Sequence, residues 1–117
     1  MFLEQFCAKL KLYGALLTTY DGEIVDSHLS ETLSADDAVL PVDIIVRLFD
    51  ELVRECQYTF PDMLIMDGEK GIMDKIICTP VKNHDQILFL FAQGNINVGM
   101  IRIVLEDFLT SDRQDTA

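Results

Sequence analysis

The stretch that decides the fold is Tyr13-Gly-Ala-Leu-Leu-Thr-Thr-Tyr-Asp-Gly-Glu-Ile-Val-Asp-Ser-His-Leu29. Its first half is rich in apolar and β-branched residues, and its second half has a similar strand-like composition. Between them lies Asp21-Gly22, the strongest two-residue signal for a hairpin turn. The segment therefore predicts two adjacent antiparallel strands, over residues 13–19 and 23–29.

Helical patterns lie on both sides of this hairpin. Apolar residues three and four positions apart predict a short helix over residues 2–10 and a long helix over residues 41–57. Ser34-Ala-Asp-Asp37 resembles a helix-capping box, but a helix beginning there would hold Pro41 deep inside it. We therefore predict that the long helix begins at Pro41, because proline favours the first helical position.

Three further strands and a last helix follow the long helix. Residues 86–92, the third of these strands, are apolar without alternation. This pattern indicates a central strand covered on both faces, and residues 15–17 show the same pattern. Asn97 is a suitable N-cap for the last helix, and residues 111–117 are predicted to form a frayed tail. The predicted bounds are residues 61–66, 72–79 and 86–92 for the strands, with Pro80 ending the second, and residue 98 to near residue 109 for the helix.

The predicted fold is one α+β domain over residues 1–110, in the order α-β-β-α-β-β-β-α. A chain of 117 residues has room for one domain with its own hydrophobic core. Two central strands need cover on both faces, so we expect a five-stranded antiparallel sheet between two helical layers. The long helix is expected on one face, and the first and last helices on the other.

The chain is strongly acidic, with a formal net charge of −11. No Lys or Arg occurs between Lys11 and Arg47, a span that holds seven Asp or Glu residues. Such a field repels phosphate groups and anionic lipids, so nucleic acid and membranes are not expected partners. The acidity serves either solubility alone or the steering of a partner with a basic face.

Cysteine use and the lack of long apolar runs indicate a cytoplasmic protein. Cys7, Cys56 and Cys78 are far apart, with no CxxC spacing and no nearby histidine, and we expect three buried thiols in a reducing compartment. No segment approaches the roughly 20 apolar residues that span a bilayer. The first residues include an acid and no long apolar run, so no signal peptide is expected.

Two uncovered surfaces predict that two copies of the chain associate. Residues 63–66 carry no charge and no proline that would protect an edge strand from pairing. The apolar residues of the long helix cover an arc of roughly 200°, wider than one sheet contact requires. Either the chain itself covers the strand, or a second copy pairs with it about a two-fold axis while one flank of the helix packs against its mate. The middle of the arc, expected on the sheet, comprises Ile45, Phe49, Leu52 and Cys56, and the predicted dimer interface comprises Val42, Val46, Val53, Met63, Leu64, Ile65 and Met66.

No motif for catalysis or for a cofactor is present. Gly68-Glu-Lys-Gly71 places a lysine between glycines, but in a short turn between strands with no helix to receive a phosphate. His28 and His84 fall on polar positions without a nucleophile motif. The carboxylates of Asp67, Glu69 and Asp74 fit no metal-binding loop. We therefore expect no enzyme, no cofactor and no metal.

Two parts of the sequence resemble the roadblock/dynein light chain family. They are the hairpin Gly14-Ala-Leu-Leu-Thr-Thr-Tyr-Asp-Gly-Glu-Ile-Val25 and the start of the last helix, Asn95-Ile-Asn-Val-Gly-Met-Ile-Arg102. Their order and separation around the long helix also agree with the family, and the likeness covers residues 1–110. The resemblance implies a profilin-like sandwich and a dimer that shares one continuous sheet, with its two long helices side by side.

The same resemblance implies a function. Family members regulate or scaffold small Ras-like GTPases or serve as adaptors in motor and signalling complexes, and some stimulate GTP hydrolysis without catalytic residues of their own. The candidate GTPase contacts are Arg47, Asp50 and Arg54 on the exposed helix face, although no motif makes either arginine an arginine finger. The chain departs from the plainest family pattern in Pro41 and in its acidity before that residue. A sensor domain that holds a small ligand between sheet and helix is the alternative.

Overall fold

A computed structural model of the protein describes residues 2–31, 33–59, 62–68, 75–81 and 85–116. Within these ranges the helices and strands follow in the predicted order. Their bounds are α1 Phe2–Leu10, β1 Gly14–Thr19, β2 Ile24–Leu29, α2 Ala35–Cys56, β3 Leu64–Asp67, β4 Lys75–Val81, β5 Gln86–Ala92 and α3 Val98–Thr116.

The strands form one five-stranded antiparallel sheet in the spatial order β2-β1-β5-β4-β3. β5 lies in the middle, with Phe91 opposite both Gly14 of β1 and Ile76 of β4. Every residue of β5 after Gln86 is buried, which confirms the prediction of a strand covered on both faces. β2 and β3 form the two edges of this sheet within the described ranges.

The sheet separates two hydrophobic layers. On one face α1 and α3 pack on the sheet, and Phe6 and Ile101 share a cluster with Leu88. On the other face α2 packs on the sheet, and Phe49 shares a cluster with Phe89. Successive residues of β5 point to opposite layers because side chains alternate along a strand. The arrangement confirms the predicted sandwich, with the long helix alone on its face.

The β1–β2 hairpin contains a turn and a bulge. Gly22 has φ +93°, a conformation that glycine adopts without strain, and its N–H donates to the carbonyl of Thr19 at 3.1 Å. The pairing then shifts, because Leu17 lies opposite Asp26 whereas Thr18 lies opposite Ile24. One extra residue of β2 therefore stands in the ladder as a β-bulge.

α2 begins earlier than predicted. Ala35 is its first residue and Ser34 its N-cap, with the Ser34 hydroxyl accepting a hydrogen bond from the Asp37 N–H at 3.2 Å. Asp36 and Asp37 lie in the first turn, where acidic side chains interact favourably with the helix dipole. The prediction of a start at Pro41 is wrong, because the capped and acidic first turn stabilises a helix that holds this proline inside it.

Two other element ends differ from the predictions. β4 does not stop at Pro80 but continues to Val81, paired with β5. β3 pairs with β4 only up to Cys78, so Pro80 has a neighbouring strand on one side, and a residue without an N–H is tolerated there. α3 extends to Thr116 and so runs through most of the predicted frayed tail.

Candidate interaction surfaces

The β3 edge lies where the sequence predicted an open strand. Leu64 and Met66 are half-buried and pack toward the α2 layer, whereas Ile65 remains exposed. Met63 packs against the opposite layer. Asp67 ends the strand and forms an ion pair with Lys75 of the neighbouring β4. The edge therefore presents one exposed isoleucine and little charge along its short length.

The predicted valine flank of α2 is not free. Val42 and Val46 are buried in the layer between α2 and the sheet, and Val53 is half-buried. The prediction that Val42 and Val46 lie uncovered is therefore wrong. Cys56, expected on the sheet, is exposed near the end of the helix, which also corrects the expectation of three buried thiols. Ile45, Phe49 and Leu52 do pack on the sheet as predicted, so the buried arc is centred near the predicted one and also includes Val42 and Val46.

A different flank of α2 is apolar and exposed. The exposed fractions are 62% for Leu40, 52% for Ile44 and 49% for Leu48. These residues recur every fourth position, which aligns them along one side of an α-helix. We call these three residues the α2 stripe. The sequence contained this signal, but it was missed because apolar residues occur on both flanks of the helix.

The α2 stripe faces away from the β1–β2 hairpin. A Cβ atom at Gly22 would lie 3.5 Å from Val46 Cγ1, so the Val46 flank packs toward the turn of that hairpin. At about 100° per residue, Ile44 and Leu48 lie roughly 160° around the helix from Val46. β2 and β3 are opposite edges of the sheet. Because Val46 is itself buried toward the sheet, the stripe points outward from the sheet, and we infer that it leans toward the β3 side of α2.

The outer surface of α2 carries two ion pairs between residues one helical turn apart. Arg47 bonds Asp43 at 3.0 Å, and Arg54 bonds Asp50. The hydrogen bond and charge of Asp50 raise the pKa of Arg54, with a smaller contribution from Asp21 in the hairpin turn. All three predicted GTPase contacts, Arg47, Asp50 and Arg54, therefore lie on one polar ridge beside the α2 stripe. The ridge offers charges of both signs for contact with another protein.

The described residues contain no feature that holds a metal ion. No group of three or more His, Cys, Asp or Glu side chains comes together in those ranges, while Glu69 and Asp74 lie outside them.

Burial raises the pKa of Cys7 to about 11 and that of Cys78 to about 12, so both thiols stay protonated at neutral pH. Among the described helices, none is long and apolar enough to cross a bilayer.

The fold is that of known solved structures, although no family model and no curated protein matches the sequence. A Roadblock/LC7 domain from Streptomyces avermitilis has a TM-score of 0.71 at 12% identity, over 97% of this chain and 93% of that chain. MglB from Myxococcus xanthus has a TM-score of 0.71 at 11% identity, over 97% and 91%. MglB in a tetrameric arrangement has a TM-score of 0.70 at 12% identity, over 93% and 80%. The chain therefore has the fold of the Roadblock/LC7 domain structures.

Proposed function

We propose that the protein is a non-catalytic, cytoplasmic homodimer that binds a small Ras-like GTPase and regulates or scaffolds it. The observation that carries the proposal is the presence of two unsatisfied surfaces on one side of the subunit, the β3 edge and the α2 stripe. An edge strand has unpaired N–H and C=O groups, and an exposed apolar stripe gains free energy when it leaves water. A second copy satisfies both at once.

A two-fold axis beside β3 explains why both surfaces lie together. Antiparallel pairing of two β3 strands joins the two sheets, and it places the two α2 helices on the same face of the joined sheet. Each α2 stripe then packs against its copy. β3 carries its one acid, Asp67, paired with Lys75, so two such edges approach with little charge repulsion. Self-association of MglB in its tetrameric arrangement is consistent with a fold that assembles with itself.

Fold and sequence resemblance both support the GTPase as partner. The hairpin and last-helix motifs resemble the roadblock family, whose members act on small Ras-like GTPases, and the solved Roadblock/LC7 structures share this fold. The polar ridge of α2 runs parallel to the α2 stripe, so it stays exposed when the stripes pack together. We propose that the GTPase contacts Arg47, Asp50 and Arg54 on this ridge.

Two substitutions test the dimer. Ile44→Asp places a charge in the α2 stripe, and we expect light scattering to give the 13.3 kDa mass of one chain, where the parent protein gives twice that mass. Ile103→Asp makes the same change at an exposed isoleucine of α3 and should remain a dimer. A monomeric parent protein, or dissociation by both variants alike, contradicts the proposal.

Binding to Ras-like GTPases tests the partner. Each GTPase of the same cell is immobilised with GDP or with a non-hydrolysable GTP analogue, and the dimer is passed over it. We expect binding that depends on the nucleotide and weakens at least about tenfold with Arg54→Glu. Lys9→Glu makes the same change of charge at an exposed position of α1 and serves as the control. Equal binding to both nucleotide states, or to none, counts against a GTPase regulator.

The sensor alternative receives no support from the described core. A small-ligand site needs several polar groups that converge on a cavity. The buried polar side chains are Thr18 and Thr79, and the Thr79 hydroxyl already donates to the carbonyl of Asp62 at 2.8 Å. The interior between sheet and helices is otherwise apolar in the part of the chain that the structure describes.

A further inference from the structure

The second edge of the sheet has features that the proposed dimer does not use. β2 lies at the end opposite β3, and it has no strand beside it other than β1 within the described ranges. Ile24 and Val25, with exposed fractions of 44% and 49%, stand next to the bulge. Apolar side chains of this size on an open edge favour the addition of another strand.

The direction of the β2 backbone groups follows from the ladder. The Ser30 N–H donates to the Tyr13 carbonyl at 2.8 Å, so this pair bonds across the two strands. In an antiparallel ladder bonded and non-bonded pairs alternate, so the N–H and C=O groups of Ser27 and Leu29 point away from β1. The Ser27 N–H donates instead to the carboxylate of its neighbour Asp26 at 2.9 Å. The edge thus has an outward donor that a local side chain covers.

The charges carried by β2 and by its flanking turns have one sign. The acidic residues are Asp21 and Glu23 before β2, Asp26 within it, and Glu31 after it, and no Lys or Arg lies among them in the sequence. None of Glu23, Asp26 and Glu31 belongs to an ion pair among the described residues. Two such edges repel each other, because like charges would meet across the new ladder. A strand with lysine or arginine instead meets complementary charge.

We propose that the β2 edge binds an extended, basic segment of a different protein by strand addition. The incoming strand bonds the outward groups of Ser27 and Leu29 and contacts Ile24 and Val25. Its basic side chains pair with Glu23, Asp26 and Glu31. The Asp26 carboxylate leaves the Ser27 N–H when the incoming carbonyl takes its place. This site lies at the edge opposite to β3, so it is separate from the proposed dimer interface, and it includes none of the proposed GTPase contacts.

A designed peptide tests the proposal directly. The probe is a fluorescent peptide of about eight residues, the length of an ordinary strand, that alternates valine and lysine. The matched control peptide alternates valine and glutamate. We expect saturable binding of the lysine peptide, no binding of the glutamate peptide at the same concentrations, and slower amide hydrogen exchange at Ser27 and Leu29 on binding. Absent binding, or protection confined to other residues, overturns the proposal.

Substitutions in β2 separate strand addition from general charge attraction. Ser27→Pro removes the outward N–H without removing a bond to β1, so the affinity for the lysine peptide should fall at least about tenfold. Ser27→Ala keeps the N–H and should bind like the parent protein. The exposed pair Glu23→Lys and Glu31→Lys should weaken binding of the lysine peptide and reduce its preference over the glutamate peptide. Unchanged affinity in Ser27→Pro, or an unchanged preference after charge reversal, contradicts strand addition at this edge.

The monomeric variant distinguishes this proposal from the proposed function. Ile44→Asp disrupts the α2 stripe but leaves β2 intact, so it should bind the lysine peptide with the affinity of the parent protein. A dimer that forms as proposed while the peptide fails to bind rejects the β2 site alone. Peptide binding by a chain that proves monomeric rejects the dimer alone.

Discussion

The two edges of the sheet, β2 and β3, end the same ladder but differ in charge and in what lies above them. β3 has its acid paired with Lys75, and we infer that the exposed α2 stripe leans toward its side of the helix. β2 carries Asp26, which forms no ion pair among the described residues, and the adjoining hairpin turn lies on the flank of α2 where Val46 packs toward Gly22. A free edge therefore does not define its partner. We propose that the neighbouring charge and helix surface suit one edge to a second copy and the other to a basic strand.

The largest expected effect separates the two flanks of α2. Val46→Asp buries a carboxylate in the layer above the sheet, and we expect the free energy of unfolding to fall by about 3–5 kcal/mol. Leu48→Asp, on the exposed stripe, should change the stability of the single chain by no more than about 0.5 kcal/mol while it weakens the dimer. Urea unfolding of both variants, followed by circular dichroism at several protein concentrations, measures the stability of the single chain and the strength of the dimer. Equal destabilisation by the two changes would mean that the stripe belongs to the core.

A lysine on each edge in turn tests which edge joins two copies. Ile65→Lys places like charges opposite each other across the β3 pair, and we expect the dimer Kd to rise at least about tenfold. Val25→Lys makes a similar change on β2 and should leave the dimer Kd unchanged. Analytical ultracentrifugation of both variants gives the two constants. A dimer that is sensitive to Val25→Lys but not to Ile65→Lys would mean that the two-fold axis lies beside β2 and would contradict the proposed dimer.

Salt should affect the two edges differently. Binding of the lysine peptide at β2 depends on exposed charges, which salt screens. We therefore expect the affinity for this peptide to fall about 3–5-fold between about 0.05 and 0.5 M NaCl. Association at β3 depends on apolar contact and backbone bonds and should change less than about twofold over that range. Fluorescence anisotropy measures the first and light scattering the second. A dimer weakened by salt as much as the peptide complex would show that charge, not apolar contact, joins the copies.

The smallest expected effect is no change in the reactivity of the Cys78 thiol when β3 is substituted. Cys78 lies in β4 opposite Leu64 of β3, and burial raises its pKa to about 12, so little thiolate is present at pH 8. If Ile65→Lys only separates the copies, Cys78 should stay as unreactive toward a disulfide reagent as in the parent protein, while exposed Cys56 reacts in both. Fast labelling of Cys78 in Ile65→Lys would mean that β3 has detached from β4, and that the loss of dimer is a secondary consequence.

The order of elements and the edge position of β3 could be predicted from the sequence because they depend on strong local patterns. The turn at Gly22 and the continuous apolar run of β5 have few alternative structures. The helix N-cap at Asn97 was also predicted, and its side chain accepts the Met100 N–H at 3.1 Å. Each of these features depends only on residues that are close together in the sequence.

Ile45 and Phe49 were correctly predicted to face the sheet, but the extent of the buried side of α2 could not be predicted in the same way. Its apolar residues cover both flanks, so the pattern allows several rotations of the helix about its axis. The observed facing includes contacts between distant parts of the chain, since Ala38 is buried in the layer on the sheet and Val46 packs toward Gly22 in the hairpin turn. The α2 stripe was therefore missed, although its four-residue spacing is present in the sequence.

The central place of β5 has a consequence for how the chain reaches this structure. β1 and β2 form a local hairpin, and β3, β4 and β5 form a local meander, but β1 joins β5 with Gly14 opposite Phe91. Such a distant pairing raises the contact order and slows folding, because a long loop must close first. Until then residues 87–92, all apolar, have one open side and are prone to aggregate. We therefore expect pairing of β1 with β5 to be the folding step that protects this strand from aggregation.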